Sequence, residues 1–116
     1  MQNQAEKILE LVKKKADIIH IKATKGTNGL QTANNGVVSE IPLNQPPDLK
    51  DMQQLVGGMI EGVRIGNNVI ANDYYMYCNE EGKINEEPVN FVATAIHNGG
   101  DVIVGDVMLI LKKWDE

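Results

Sequence analysis

Few residues of this 116-residue chain have the chemistry of a reaction centre, and none stands in a reaction-centre pattern. His20 and His97 are the only histidines, and Cys78 is the only cysteine. A thiol beside an imidazole makes a nucleophile–base pair. Cys78, however, falls on the packed side of its expected strand, which favours an inert buried thiol. Zinc needs three or four Cys, His or carboxylate ligands at recognisable spacings, and neither histidine has such neighbours. Neither a metal nor a cofactor is expected. Asn79-Glu80-Glu81-Gly82 offers carboxylates in a turn, but a calcium loop needs more oxygen ligands at alternating positions. A polar hairpin turn is the simpler reading. Gly57-Gly58 lacks the wider glycine spacing and the Lys-Ser/Thr of a phosphate loop, and reads as a helix stop. The chain is therefore not expected to be an enzyme.

Binding chemistry is better represented. Tyr75 and Tyr77 share one strand face, where an aromatic pair is either a platform for a base or partner protein or half of a core. Arg64, the only arginine, suits bidentate contact with a phosphate, or a surface pair with Glu61 or Asp73. Asn90 and Thr94 lie one helical turn apart. Asn90 either caps its helix, bonds a neighbouring loop, or presents its amide to an adenine-type edge. Asp106 follows a glycine inside an apolar strand and is costly to bury without partners. It reaches solvent, accepts backbone bonds, or faces a polar pocket. The candidate ligand-binding residues are Tyr75, Tyr77, Arg64, Asn90, Thr94 and Asp106.

The elements that must position them are legible from periodicity. Apolar residues at spacings of three and four predict a helix from Ala5 to Ala16, with Ile8, Leu11, Val12 and the Lys15 stem on one side. Lys13, Lys14 and Lys15 suit its C-terminal dipole. Alternation predicts strands over Asp17–Thr24 and Val37–Leu43, with turns at Gly26–Gly29 and Asn34–Gly36. Asp48 is placed to cap a helix over Leu49–Val56 that Gly57-Gly58 ends. A strand over Met59–Ile65 follows, then a hairpin-type turn at Gly66-Asn67-Asn68. Val69-Ile70 and Tyr74–Asn79 read as one interrupted strand or two, and Glu80–Lys83 as a turn. Pro88–His97 reads as a short helix stopped by Asn98-Gly99-Gly100. Val102–Leu111 is apolar on both faces, the mark of a strand covered on both sides or covered by a partner. The order suits one α+β domain over residues 1–116, a small mixed and mostly antiparallel sheet with about three helices packed on it.

Four segments within about residues 49–111 carry a family resemblance. They are Leu55-Val56-Gly57-Gly58-Met59-Ile60-Glu61, Asn79-Glu80-Glu81-Gly82-Lys83, Pro88-Val89-Asn90 followed by Ala93-Thr94, and Val102-Ile103-Val104-Gly105-Asp106-Val107. In this order they resemble a family associated with phages and mobile elements, domain-of-unknown-function family 3846. The resemblance implies a viral or mobile-element origin and carries over no activity and no catalytic residue. It also makes the helix within residues 1–16 look like an addition to the family core.

Composition narrows the function further. A net charge of −5 argues against general nucleic-acid binding, which calls for a basic face. One cysteine permits no internal disulfide and points to a reducing compartment. No apolar run of about 18 residues spans a membrane, and no secretory signal is visible. The expectation is a cytoplasmic protein of the host cell with no membrane contact. Without catalytic residues, a small phage-type protein works by occupying something. The leading expectation is sequestration of a nucleotide immune signal such as a cyclic dinucleotide, by a homo-oligomer in which the last strand and Trp114 meet a second copy. An acidic inhibitor of a host defence or nucleic-acid-binding protein is the second, and a small enzyme the third.

Overall fold

The computed structural model describes residues 3–23 and 37–115; the turns expected at 26–29 and 34–36 lie outside the described residues. Asn3 opens α1 (Gln4–Lys13), its side chain accepting the Glu6 N–H, and Ile8, Leu11 and Val12 turn inward. The helix stops short of the expected Ala16. Lys15 takes a left-handed φ of 60°, and Ala16 N–H closes back on Leu11 O at 3.0 Å. Lys15 is thereby turned out to solvent, where its ammonium pairs with Asp73, while Lys14 pairs with Glu40 at 2.7 Å.

Two strands follow, β1 (Ile18–Lys22) and β2 (Val37–Ile41). α2 (Leu49–Val56) is bounded as its sequence requires: Asp48 accepts the Asp51 N–H at 2.8 Å, and Gly57 adopts φ +86°. A side chain is strained in that conformation and glycine is not. β3 (Ile60–Val63) leads into a departure from the expected hairpin. Asn67 Oδ1 accepts the N–H groups of Val69 and Ile70, and so starts a one-turn helix, α3 (Asn68–Ala71). Val69-Ile70 is therefore helix and not strand. A local cap outweighs the β preference of two branched residues.

β4 (Tyr74–Asn79) points Tyr74, Met76 and Cys78 inward. α4 (Phe91–His97) begins three residues later than expected, because Asn90 is its N-cap and Val89 is extended, bridged to Val104. β5 (Val107–Leu111) is likewise shorter than the apolar run around it. Gly105, at φ +76°, breaks the run. A short 3-10 turn over Lys112–Trp114 follows β5.

The strands form a five-stranded sheet in the order β2-β1-β5-β4-β3, antiparallel throughout. One face packs against α1, α3 and α4, burying Ile19, Ile21, Met76, Val107 and Leu109 with Ile8, Leu11, Ile70, Ala93 and Ile96. The other packs against α2, burying Ile18, Met108 and Ile110 with Met52 and Val56. The fold is α+β, with four α-helices among the described residues. β5 is the central strand, and every one of its residues is buried. Its two apolar faces are thus covered within the chain, which corrects the expectation that it meets a second copy.

Candidate functional site

The sheet ends at β3, and beside this edge lies a cleft of about 480 Å³. Glu61 and Val63 of β3 and Cys78 of β4 line one side; Val102, Ile103 and Val104 line the other. Arg64, Lys83, His97 and Asp101 complete its polar rim. Ligand sites of small molecules usually occupy about 300–1,000 Å³.

The rim is built by contacts between distant parts of the chain. Lys83 Nζ donates to both carboxylate oxygens of Asp101, at 2.7 and 2.8 Å. That ammonium, aided by the Val102 N–H, holds the Asp101 carboxyl below the usual carboxylate range. His97 Nδ1 lies 2.6 Å from Arg64 O, and because a carbonyl only accepts, the imidazole proton sits there. Arg64 is thereby fixed by its backbone while its side chain is exposed. Among the described residues no carboxylate lies within ion-pair distance of its guanidinium, so neither Glu61 nor Asp73 takes that role.

Cys78 is the thiol of the cleft. Burial, reinforced by the Glu61 charge and opposed by Lys83, pushes it up to about 11. At neutral pH it is a protonated thiol, a poor nucleophile. On the rim, His97 donates its Nδ1–H to Arg64 O, which fixes the tautomer of the ring. Among the described residues no group of three or more His, Cys, Asp or Glu is close enough to hold a metal ion.

The six sequence candidates do not meet at one place. Only Arg64 enters the cleft. Asn90 is fully buried: its Oδ1 accepts the Ala93 N–H at 3.0 Å, and its Nδ2 donates to Ile21 O at 3.0 Å and Gly105 O at 2.9 Å. Its amide has no free edge for a ligand, which corrects that reading. Thr94 Oγ1 accepts the Ile103 N–H at 2.9 Å, and Asn90 N–H bonds Ile103 O at 2.8 Å. Both residues hold the 102–104 wall from behind. Asp106 Oδ1 accepts the Ala23 N–H at 3.0 Å, and Oδ2 lies 3.9 Å from His20 Nε2. It accepts a backbone bond and ties the end of β1. His20 itself donates to Leu55 O at 2.7 Å, joining β1 to α2.

Tyr75 and Tyr77 point to the opposite face of the sheet. Tyr77 donates to Asp115, and its hydroxyl is pushed up to about 12 by burial and by that carboxylate. Tyr75 is 40% exposed with the Lys112 ammonium 5.2 Å from its ring centre. Lys113 stands similarly over Trp114 at 5.0 Å. The sequence reading missed Glu61, Lys83, Asp101 and the 102–104 wall as cleft residues. The one local signal was Asn79-Glu80-Glu81-Gly82-Lys83, whose turn delivers Lys83 to the rim.

A family model described as "Domain of unknown function (DUF3846)" matches residues 30–116. The match covers most of the chain, and the chain belongs to this family. It contains β2 to β5 and every cleft residue, whereas α1 and β1 precede it. β1 nevertheless lies inside the sheet, between β2 and β5. No curated protein and no solved structure matches the chain significantly.

Proposed function

We propose that this DUF3846-family protein is a non-catalytic binding protein of phage type that sequesters a nucleotide immune signal such as a cyclic dinucleotide. The observation that carries the reading is Arg64. It is the chain's only arginine, exposed and free of a carboxylate partner among the described residues, at the rim of a cleft of about 480 Å³. A guanidinium meets a phosphate through two parallel N–H groups.

The balance of charge in the cleft selects among anions. Lys83 is already neutralised by Asp101, and Glu61 and Glu80 stand nearby. Among the described residues Arg64 is the one unpaired cation of the cleft, which suits a phosphodiester with a single negative charge per phosphate. It suits a polyphosphate poorly, because repulsion from the two glutamates grows with each added charge. The raised thiol of Cys78 supports capture without thiolate chemistry.

Native mass spectrometry of the full chain with cyclic dinucleotides, cyclic oligonucleotides and ADP-ribose derivatives tests the reading. The expected result is a stoichiometric mass shift with a cyclic dinucleotide, the ligand returning chemically unchanged on denaturation, and loss of the shift in Arg64→Ala. Ligand-free spectra across the panel, or a chemically altered ligand, would overturn it.

A further inference from the structure

The cleft holds a second cation that is not free to meet a ligand. Lys83 stands on the rim with Arg64, but Asp101 of the same rim takes its ammonium with both carboxylate oxygens, at 2.7 and 2.8 Å. The carboxylate is itself anchored, because Oδ1 also accepts the Val102 N–H at 2.9 Å, at the start of the 102–104 wall. His97, whose Nδ1 lies 2.6 Å from Arg64 O, is close enough to Asp101 for an imidazolium charge to act on it, after the larger effects of Lys83 and the Val102 N–H. Arg64, His97, Asp101 and Lys83 are thus linked in that order along one rim.

Among the described residues, lysines pair with carboxylates at Lys14–Glu40, Lys15–Asp73 and Lys83–Asp101. Of these pairs only Lys83–Asp101 lines the cleft. Its side chains are 54% and 67% exposed, and an ion pair so exposed adds little to stability. A ligand entering the cleft can therefore reach both groups, and the fold does not depend on them. A carboxylate that meets an ammonium with two oxygens satisfies it as a phosphate does. Asp101 occupies the place where a second phosphate charge would otherwise sit.

We propose that Asp101 determines the specificity of the cleft: seated on Lys83 as a built-in anion, it leaves Arg64 to take a singly charged phosphodiester and turns away pyrophosphate groups, which need both cations. The assignment rests on the reading of the cleft as a phosphate site and goes further, in naming the residue that excludes nucleoside diphosphates and triphosphates. Specificity is a difference of affinities, so a charge that repels the wrong ligand creates it without a new contact to the right one. Loss of this carboxylate releases Lys83 and turns the rim into a two-cation clamp.

Isothermal titration calorimetry of the full chain with inorganic pyrophosphate, and separately with a cyclic dinucleotide, tests the inference. Asp101→Asn is expected to bind pyrophosphate at least about tenfold more tightly than the wild type, because a repelling charge is removed and an attracting one released. Its affinity for the cyclic dinucleotide is expected to change less. Adding Lys83→Ala to Asp101→Asn is expected to abolish the gain. Glu40→Gln makes the same change of net charge and releases Lys14 away from the cleft, and is expected to gain nothing. All these side chains lie outside the core, and the variants are expected to melt with the wild type. A pyrophosphate affinity unmoved by Asp101→Asn, a gain that survives Lys83→Ala, or an equal gain in Glu40→Gln would each overturn the inference. A cyclic dinucleotide that fails to bind while the Lys83-dependent gain appears would overturn the nucleotide reading alone and would support Asp101 as the gatekeeper of an anion site.

Discussion

Asn90→Ala is the substitution for which the structure makes its firmest quantitative statement. The side chain is fully buried and makes three hydrogen bonds. Losing the cap on Ala93 costs about 1 kcal/mol. Ile21 O and Gly105 O then each lose a buried donor, at about 1 kcal/mol apiece or more. The sum is about 3 kcal/mol, a large share of the roughly 5–15 kcal/mol that holds a domain together. For a chain of this size that lowers Tm by roughly 10 °C. Calorimetry or circular dichroism melting checks it. The isosteric Asn90→Asp sharpens the test. It keeps the capping oxygen but turns an acceptor toward two carbonyl oxygens, so burial disfavours its ionised form and raises its folded pKa above the unfolded value of about 3.9. The native state then holds the proton longer than the unfolded chain, and stability falls as pH rises through that window. The deficit of Asn90→Asp is therefore expected to be smallest near pH 4 and to grow toward neutrality. If Asn90→Ala melts within about 2 °C of the wild type, as a surface substitution does, the assignment of Asn90 as a structural clasp is refuted.

Other expectations follow from single groups. With Cys78 pushed up to about 11 by burial and by Glu61, a disulfide reagent at pH 8 is expected to label the native chain at least about a hundredfold more slowly than the urea-unfolded chain; equal rates would refute its burial. Asp17 Oδ2 accepts the Leu43 N–H at 2.9 Å and Oδ1 the Trp114 Nε1–H at 2.7 Å. The Leu43 bond first, and the Trp114 bond second, hold its carboxyl below the usual range. Stability from a lowered carboxyl is present above the unfolded pKa of about 3.9 and disappears as pH falls through the folded one. Asp17→Asn is thus expected to cost about 1 kcal/mol at pH 7, with the gap to wild type closing in acid. Urea titrations followed by the fluorescence of Trp114, the single tryptophan, check it; a gap independent of pH would refute the role of the charge.

How far the sequence predicts the structure depends on the range of the interactions involved. α2 is legible because both its boundaries, Asp48 and Gly57, act within one turn of it. β4 is legible because alternation alone puts Tyr74, Met76 and Cys78 on one side. The position of β5 follows from apolar character on both faces. The cleft is not legible in the same way. His97 reaches Arg64 across 33 residues and Lys83 reaches Asp101 across 18, and no local pattern announces either meeting. Asn90 and Thr94 look alike on a helical net whether they face a ligand or the Ile103 backbone. Only the sheet, by bringing the 102–104 segment beneath them, decides.

Gly105 sits between the two cases. Its presence in an apolar run signals a break, yet its purpose depends on Asn90, whose Nδ2 takes its carbonyl oxygen. At φ +76° a side chain is strained, although among the described residues a Cβ there would meet only the Glu87 side chain, Cβ at 3.5 Å and Cγ at 3.6 Å, both ordinary contacts. Backbone conformation alone therefore sets the effect of Gly105→Ala, about 1–2 kcal/mol of destabilisation. The alanine also relaxes by turning the carbonyl away from Asn90, so once Asn90 has been truncated the relaxation disrupts nothing further. Gly105→Ala and Asn90→Ala are expected to be less than additive, with a coupling of at least about 0.5 kcal/mol in a double-mutant cycle read by urea denaturation. Additivity to within about 0.3 kcal/mol would mean that the strand break and the helix cap stand independently, and that the wall of the cleft is not held as one unit.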